Sequence, residues 1–265
     1  MAMKNIYDTY TLNNGVKIPC VAYGTYKAKD ENGADIITAA VEEGYRYFDT
    51  ASYYETEEYV AEAIRRSGLP REDFFIATKL WKEEMGYEEA LAAFERSVKR
   101  LNTDYIDLYQ IHNIKTDAEF ELCFGENGAY KALLEAKEAG KIRHIGATAH
   151  GLEAFARLIR EYEDKIETMM FPYSIVENQA AELMKECTEK NIGFIAMKPL
   201  AGGNIDNATL AIKYIVNSPD CTIVIPGMGN AKEVEQNTSD EVYEPLTDAE
   251  KEECKKIAKE LFDIE

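Results

Sequence analysis

Tyr105-Ile106-Asp107-Leu108-Tyr109-Gln110-Ile111-His112 is a β-prone run that ends on an imidazole. Two upstream runs end in a similar way. Tyr45-Arg46-Tyr47-Phe48 gives way to Asp49, with Tyr54 five residues further on, and Phe74-Phe75-Ile76-Ala77-Thr78 gives way to Lys79. An acid, a phenol, an amine and an imidazole thus stand where strand-like segments pass into loops, which is where barrel enzymes keep their chemistry. Outward from these runs, strand-like and helix-like segments alternate to the end of the chain, the mark of a parallel sheet wrapped by helices. The candidate strands are Ile18 to Tyr23, Tyr45 to Asp49, Phe74 to Lys79, Ile106 to Ile111, Ile142 to Thr148, Thr168 to Phe171, Gly193 to Met197 and Cys221 to Pro226. Eight of them suit a closed α/β TIM (β/α)8 barrel. Asn13-Asn14-Gly15 between short β-prone pieces predicts a β-hairpin ahead of it.

Between the strands, apolar residues recur near a period of 3.6, as in Tyr59, Ala63 and Ile64 after the cap candidate Thr56, or Ala90, Phe94, Val98 and Leu101 in the next unit. Acidic runs such as Glu55 to Glu58 and Lys251-Glu252-Glu253 read as solvated helix faces. A chain of 265 residues, 46% hydrophobic and 30% charged, is the usual size of one barrel, so residues 1–265 are expected to form a single domain. No apolar run approaches the roughly 20 residues of a membrane helix, and no basic-then-apolar leader opens the chain. A cytoplasmic protein with no membrane partner is expected. Its 30 basic against 49 acidic residues give a net charge of -19, which disfavours nucleic acid. The five cysteines are scattered and never in Cys-x-x-Cys spacing, so reduced thiols and no metal site are expected. A monomer or weak homo-oligomer is the expected assembly.

Taken singly, Asp49 suits a turn cap, and Tyr54 and Lys79 suit the surface. Together they suit reduction of a carbonyl by hydride, which leaves charge on the substrate oxygen and needs a proton donor there. Tyr54 is the expected donor. A free phenol has a pKa of about 10, and an ammonium about 4 Å away at an effective dielectric near 20 favours phenolate by roughly 4 kcal/mol, or about three pKa units before desolvation opposes it. Lys79 is expected to bring Tyr54 towards neutrality in this way, with Asp49 as its counter-charge and His112 orienting the carbonyl.

The wording around these residues, Gly44 to Ala51 with Tyr54, Ala77-Thr78-Lys79-Leu80-Trp81 and Asp107 to His112, resembles the aldo-keto reductase family. The resemblance continues through Leu12 to Pro19, Gly140 to Gly146 and Ile225-Pro226-Gly227, and so covers nearly the whole chain. It implies the tetrad roles given above and a nicotinamide cofactor across the C-terminal barrel mouth. Under it Gly24 and Thr25 meet the cofactor, Thr148 holds the carboxamide, and Lys198, Pro199 and Leu200 border the pyrophosphate. The adenosine end falls on Gly227, Met228, Gly229, Asn230 and Lys232, where helix N–H groups suit a phosphate, with Gln236 and Asn237 on adenine. No Gly-x-Gly-x-x-Gly supports a Rossmann site instead.

Several positions depart from the family's pattern. Ala149 stands where Asn is usual, Met170 where Gln is usual, and Met197 where an aromatic stacks on nicotinamide. Met197 can still pack on the ring. His150 either replaces the missing amide or caps the helix that follows. Met197-Lys198-Pro199-Leu200 resembles a branch often fused to iron-sulfur modules, which are not found in this sequence. Gly227 and Glu233 occupy the positions of a usual Lys and Arg, so NADP(H), the family default, is weakened and NAD(H) is possible. The segment from Gly203 to Leu210 leaves little room for a strap, and Glu265 follows the last helix with no lid, so an open pocket is expected, walled by Tyr26, Tyr53, Trp81 and Asn113. The expected function is NAD(P)H-dependent reduction of an aldehyde or ketone. The alternatives are a nicotinamide-binding regulatory barrel, suggested by Ala149, Met170 and Met197, and a Schiff-base enzyme using Lys79.

Overall fold

A computed structural model describes residues 5–12, 15, 17–30 and 32–262. At the start of the chain β1 (Thr9–Thr11) and β2 (Lys17–Pro19) pair antiparallel, with Tyr10 opposite Ile18. The expected hairpin is therefore present, while its turn at Asn13 and Asn14 lies outside the described residues. The strand expected from Ile18 to Tyr23 is instead two elements, β2 and the first barrel strand β3 (Ala22–Gly24). Cys20 is where they part. Its N–H donates to the Asp8 carbonyl in the hairpin at 2.9 Å, and its own carbonyl accepts from Val224 in the barrel at 2.9 Å. One apolar run thus serves two sheets, because each edge of the backbone at Cys20 is claimed by a different one.

From β3 the chain alternates as expected. After α1 (Gly33–Glu42) come β4 (Tyr47–Asp49), α2 (Glu57–Ser67), β5 (Phe75–Leu80), α3 (Tyr87–Leu101) and β6 (Ile106–Ile111). Two helices, α4 (Asp117–Phe124) and α5 (Ala129–Glu138), precede β7 (Ile142–Thr148), and α6 (Leu152–Glu161) leads to β8 (Thr168–Pro172). The circuit ends with α7 (Ala181–Glu189), β9 (Gly193–Met197), α8 (Ala208–Val216), β10 (Ile223–Ile225), α9 (Ala231–Thr238) and α10 (Asp248–Phe262).

Strands β3 to β10 are hydrogen-bonded in sequence order, all parallel, and bridges from Val21 to Val224 and from Gly24 to Gly227 close the last onto the first. The fold is a TIM barrel. At the closure Gly24 donates its N–H to the Pro226 carbonyl at 3.0 Å, and a Cβ there would stand 2.9 Å from Ile225 Cγ2, so a larger residue would force that side chain to shift.

Every residue of β5 and β6 is buried, because one face meets the barrel interior and the other meets helices. Ala22, Tyr47, Phe75, Ala77, Leu108, Met170, Ile195, Ile223 and Ile225 fill the interior, joined by Leu12 and Ile18 from the hairpin end of the chain. Outside, α3 buries Ala90, Phe94 and Leu101 at the expected spacing, with Glu88 and Glu89 in its first turn and Lys99 and Arg100 in its last, the polarity its dipole favours. All five cysteines are free thiols. No helix of the described residues is long and apolar enough to cross a membrane.

Candidate active site

Asp49 ends β4, Lys79 lies near the end of β5 and His112 follows β6; Asp49 and His112 line a cleft of about 440 Å³, and Lys79 is buried against Asp49. Tyr54 arrives from the turn between β4 and α2. Its N–H donates to the Ala51 carbonyl at 2.9 Å, and Glu55 then takes a left-handed conformation, φ 61°, before α2 begins. Thr56 precedes that helix, yet its hydroxyl does not cap it. It bonds instead to the Thr50 hydroxyl at 2.9 Å and the Thr25 hydroxyl at 2.7 Å, tying the ends of β3 and β4 to the start of α2.

Lys79 is 1% exposed and ion-paired with Asp49 Oδ1, and its Nζ also donates to the Thr50 carbonyl at 2.7 Å. The other carboxylate oxygen, Asp49 Oδ2, accepts from Gln110 Nε2 at 3.1 Å. The Lys79 ammonium stands 4.8 Å from the centre of the Tyr54 ring. The Tyr54 and His112 rings meet edge to face at 6.1 Å. All four expected residues are therefore one cluster.

Its electrostatics differ from the expectation in one respect. Burial raises the Tyr54 phenol; Lys79 opposes this, and Asp49 adds to it, so the net shift is upward rather than towards neutrality. Desolvation of the buried phenol outweighs the ammonium, and Asp49, set against Lys79, offsets part of its field. Burial alone would lower Lys79, but Asp49 and then Tyr54 reverse the direction and keep it protonated. Burial first, then Lys79 and His150, depress His112 to about 3. Across the neutral range the cluster thus presents a protonated phenol beside an ammonium and a neutral imidazole.

The cleft is walled by Tyr26, Tyr53, Trp81 and Asn113 on one side. Tyr53 stacks on Trp81 with ring centres 4.1 Å apart, Trp81 meets His112 edge to face at 5.3 Å, and Tyr26 meets Tyr54 likewise at 5.1 Å. Towards the later strands it is lined by Gly24, Thr148, His150, Met170, Met197, Lys198, Pro199, Leu200 and Gly227. His150 does not cap α6, whose first turn lacks a side-chain cap; its Nδ1 lies 3.0 Å from Asn113 Oδ1. Asn113, at φ 56°, also donates its backbone N–H to the Thr148 hydroxyl at 2.8 Å. Ala149 is buried in the layer under the helices and does not face the cleft.

Two residues named with the cofactor are turned elsewhere. Thr25 is fully buried against Thr56, and Met228 is a core residue whose sulfur lies 3.8 Å from the Tyr45 hydroxyl and whose carbonyl accepts from the Tyr23 hydroxyl at 2.7 Å. The start of α9 is also less free than expected. Asn230 Oδ1 accepts from the Glu233 N–H at 3.0 Å, and the Glu233 carboxylate accepts from Gly229 N–H at 2.9 Å and from Asn230 Nδ2 at 2.8 Å. A carboxylate of the chain itself thus occupies donors expected to await a phosphate. Further along the helix, Gln236 is exposed and bonds Thr209 at 3.3 Å, Lys232 is exposed, and Asn237 Oδ1 is buried with no partner among the described residues.

Lys27 was not foreseen. Its side chain lies along the closure, 4.0 Å from the place a Cβ would take on Gly227 and 3.7 Å from that on Gly229, and it lines the cleft. Gly202 and Gly203, from a turn with successive left-handed residues, line it too. Lys27 follows a strand end like the other site residues, but only closure of β10 onto β3 shows that it stands where Gly227 lacks a side chain.

Comparison with known proteins gives concordant matches. The model of the aldo/keto reductase family matches residues 21–210. Glyoxal reductase of Bacillus subtilis is 36% identical over 210 residues, 78% of this chain and 72% of that protein. Aldehyde reductase YPR1 of Saccharomyces cerevisiae is 33% identical over 224 residues, 76% and 71% of the two chains. Among solved structures, an aldo-keto reductase from a Medee basin deep-sea metagenome library superimposes with a TM-score of 0.80 at 29% identity, covering 94% of each chain. A Bombyx mori aldo-keto reductase solved in complex with NADP shares the fold at 23% identity, with a TM-score of 0.76 over 97% of this chain and 94% of that one.

Proposed function

The chain belongs to the aldo/keto reductase family, and from that premise we propose that it reduces an aldehyde or ketone to an alcohol with a nicotinamide cofactor as hydride donor. One observation carries the reading: Asp49, Tyr54 and His112 line a single cleft, with the buried Lys79 ammonium paired to Asp49 and 4.8 Å from the centre of the Tyr54 ring. A reduced nicotinamide bound in the cleft would supply the hydride.

The chain's own residues do the rest. Tyr54 gives its proton to the carbonyl oxygen as charge develops there, and Lys79 stabilises the phenolate left behind. Asp49 keeps Lys79 charged and the Thr50 carbonyl fixes its direction. His112 Nδ1 is buried without a partner among the described residues. An orphaned N–H is costlier to bury than an unfilled lone pair, which favours the proton on Nε2, from where it can hydrogen-bond the substrate oxygen. A regulatory barrel would have no use for a phenol held in this way, and the pairing of Lys79 argues against a Schiff-base enzyme.

The lining residues fit a nicotinamide dinucleotide. The Thr148 hydroxyl accepts from Asn113, so its own hydrogen is available to a carboxamide oxygen, and Met197 can pack on the ring. Lys27 and Lys198 line the cleft and suit a pyrophosphate.

The carboxylate at the start of α9 argues for NADH over NADPH. Glu233 would receive a ribose hydroxyl but repel a 2′-phosphate; at about 6 Å and an effective dielectric near 40 one like-charge pair costs about 1.4 kcal/mol, or tenfold in affinity. Fluorescence titration is expected to show tighter binding of NADH, and Glu233→Arg to move the preference towards NADPH by about tenfold to a hundredfold. Tighter NADPH binding by the unaltered protein would contradict this assignment.

A further inference from the structure

We infer that Gln110 is a positioning residue for the proton donor, holding Asp49 by the oxygen that Lys79 does not use; this rests on the reading of Tyr54 as the acid. Gln110 pairs in register with Lys79 and stands two residues before His112, so the pleat of β6 sends its side chain to the same side as His112. It is fully buried, its Nε2 donates to Asp49 Oδ2 at 3.1 Å, and its Oε1 has no partner among the described residues.

A buried amide with an empty acceptor is an unfavourable way to fill a barrel. Neighbouring interior positions are filled by Ala77, Leu108, Met170 and Ile195, which raise no such difficulty. The compensating bond of Gln110 goes to the one carboxylate that governs Lys79. With Oδ2 held, the charge on Asp49 is spread over two donors and the carboxylate is fixed so that Oδ1 meets the ammonium. Without that bond, Asp49 would present more negative potential to its surroundings and draw harder on the Lys79 proton. Both effects disfavour the Tyr54 phenolate that the reaction must form. The groups facing Tyr54 are Lys79 from β5, Asp49 from β4, Tyr26 from the segment after β3 and His112 from β6; Tyr47 faces Asp49 from β4 itself. Among the described residues, Lys79 and Gln110 are the side chains that donate to Asp49.

The test removes the amide and keeps the volume, with Gln110→Met and, as a check on packing, Gln110→Leu. Phenolate absorbance of each protein at alkaline pH, less that of the same protein carrying Tyr54→Phe, isolates the ionisation of Tyr54 and needs no turnover. Below the midpoint, the ionised fraction in both variants is expected to be about threefold lower than in the parent, an upward move of about half a pKa unit. In turnover, kcat is expected to fall by about the same factor with KM for the carbonyl substrate unchanged. Equal phenolate fractions in parent and folded variants would overturn the inference, whereas loss of the role of Tyr54 would show in the turnover of Tyr54→Phe and leave this titration readable.

Discussion

Tyr54→Phe is expected to lower kcat for carbonyl reduction by about 10² to 10⁴-fold, the usual range for a positioned general acid, while cofactor affinity changes less than about twofold. The substitution removes one oxygen from a ring that keeps its edge contacts with Tyr26 and His112, so the wall of the cleft stays in place. What is lost is the phenol hydroxyl of the ring that stands beside the Lys79 ammonium. Because burial holds that phenol above its ordinary pKa, Tyr54 stays protonated throughout the neutral range, and reduction by the unaltered protein should show no titration of its acid below a pH of about 10. Retention of more than about a tenth of the parent rate by the variant would remove Tyr54 from the role of acid.

Lys79→Met is expected to remove activity to a similar extent, and in addition to destabilise the barrel. Lys79 and Asp49 are both almost fully buried, and deleting one partner of such a pair strands the other charge, at about 3 to 5 kcal/mol. For a chain of this size that is a fall in Tm on the order of 10 °C. The double variant Lys79→Met, Asp49→Leu separates the two effects. Replacing a buried pair by apolar groups is often neutral or stabilising, so the double variant should regain most of the lost Tm and none of the activity. Recovery of both together would mean that the pair serves the fold alone.

The residues with chemistry were legible because each follows directly on a strand-like run: Asp49, Lys79 and His112 announce themselves locally, and the pleat and the barrel place them side by side. The barrel itself was legible in the alternation of segments. Other features depend on contacts between distant parts of the chain. The division of one run at Cys20 requires knowing that Val224 will claim its carbonyl. Lys27 gains its place only when β10 closes on β3. Thr56 looks like a helix cap by position, but the buried hydroxyls of Thr25 and Thr50 compete for it. The upward shift of Tyr54 follows first from its burial, with Asp49 beside Lys79 adding to it, and spacing reveals neither. Glu233, read as an absent Arg, proves to be a carboxylate already placed on a backbone donor.

The direct test of hydride transfer is to supply reduced nicotinamide cofactor, as NADH and as NADPH in separate runs, carrying deuterium on the transferable position of either face, together with an aldehyde such as nitrobenzaldehyde. The account expects an alcohol with one deuterium on the former carbonyl carbon, from one face of the cofactor only, formed at least about a hundredfold more slowly by Tyr54→Phe. Cofactor binding without any deuterated alcohol, for either cofactor, would contradict it and restore the reading of the barrel as a nicotinamide-binding regulatory protein.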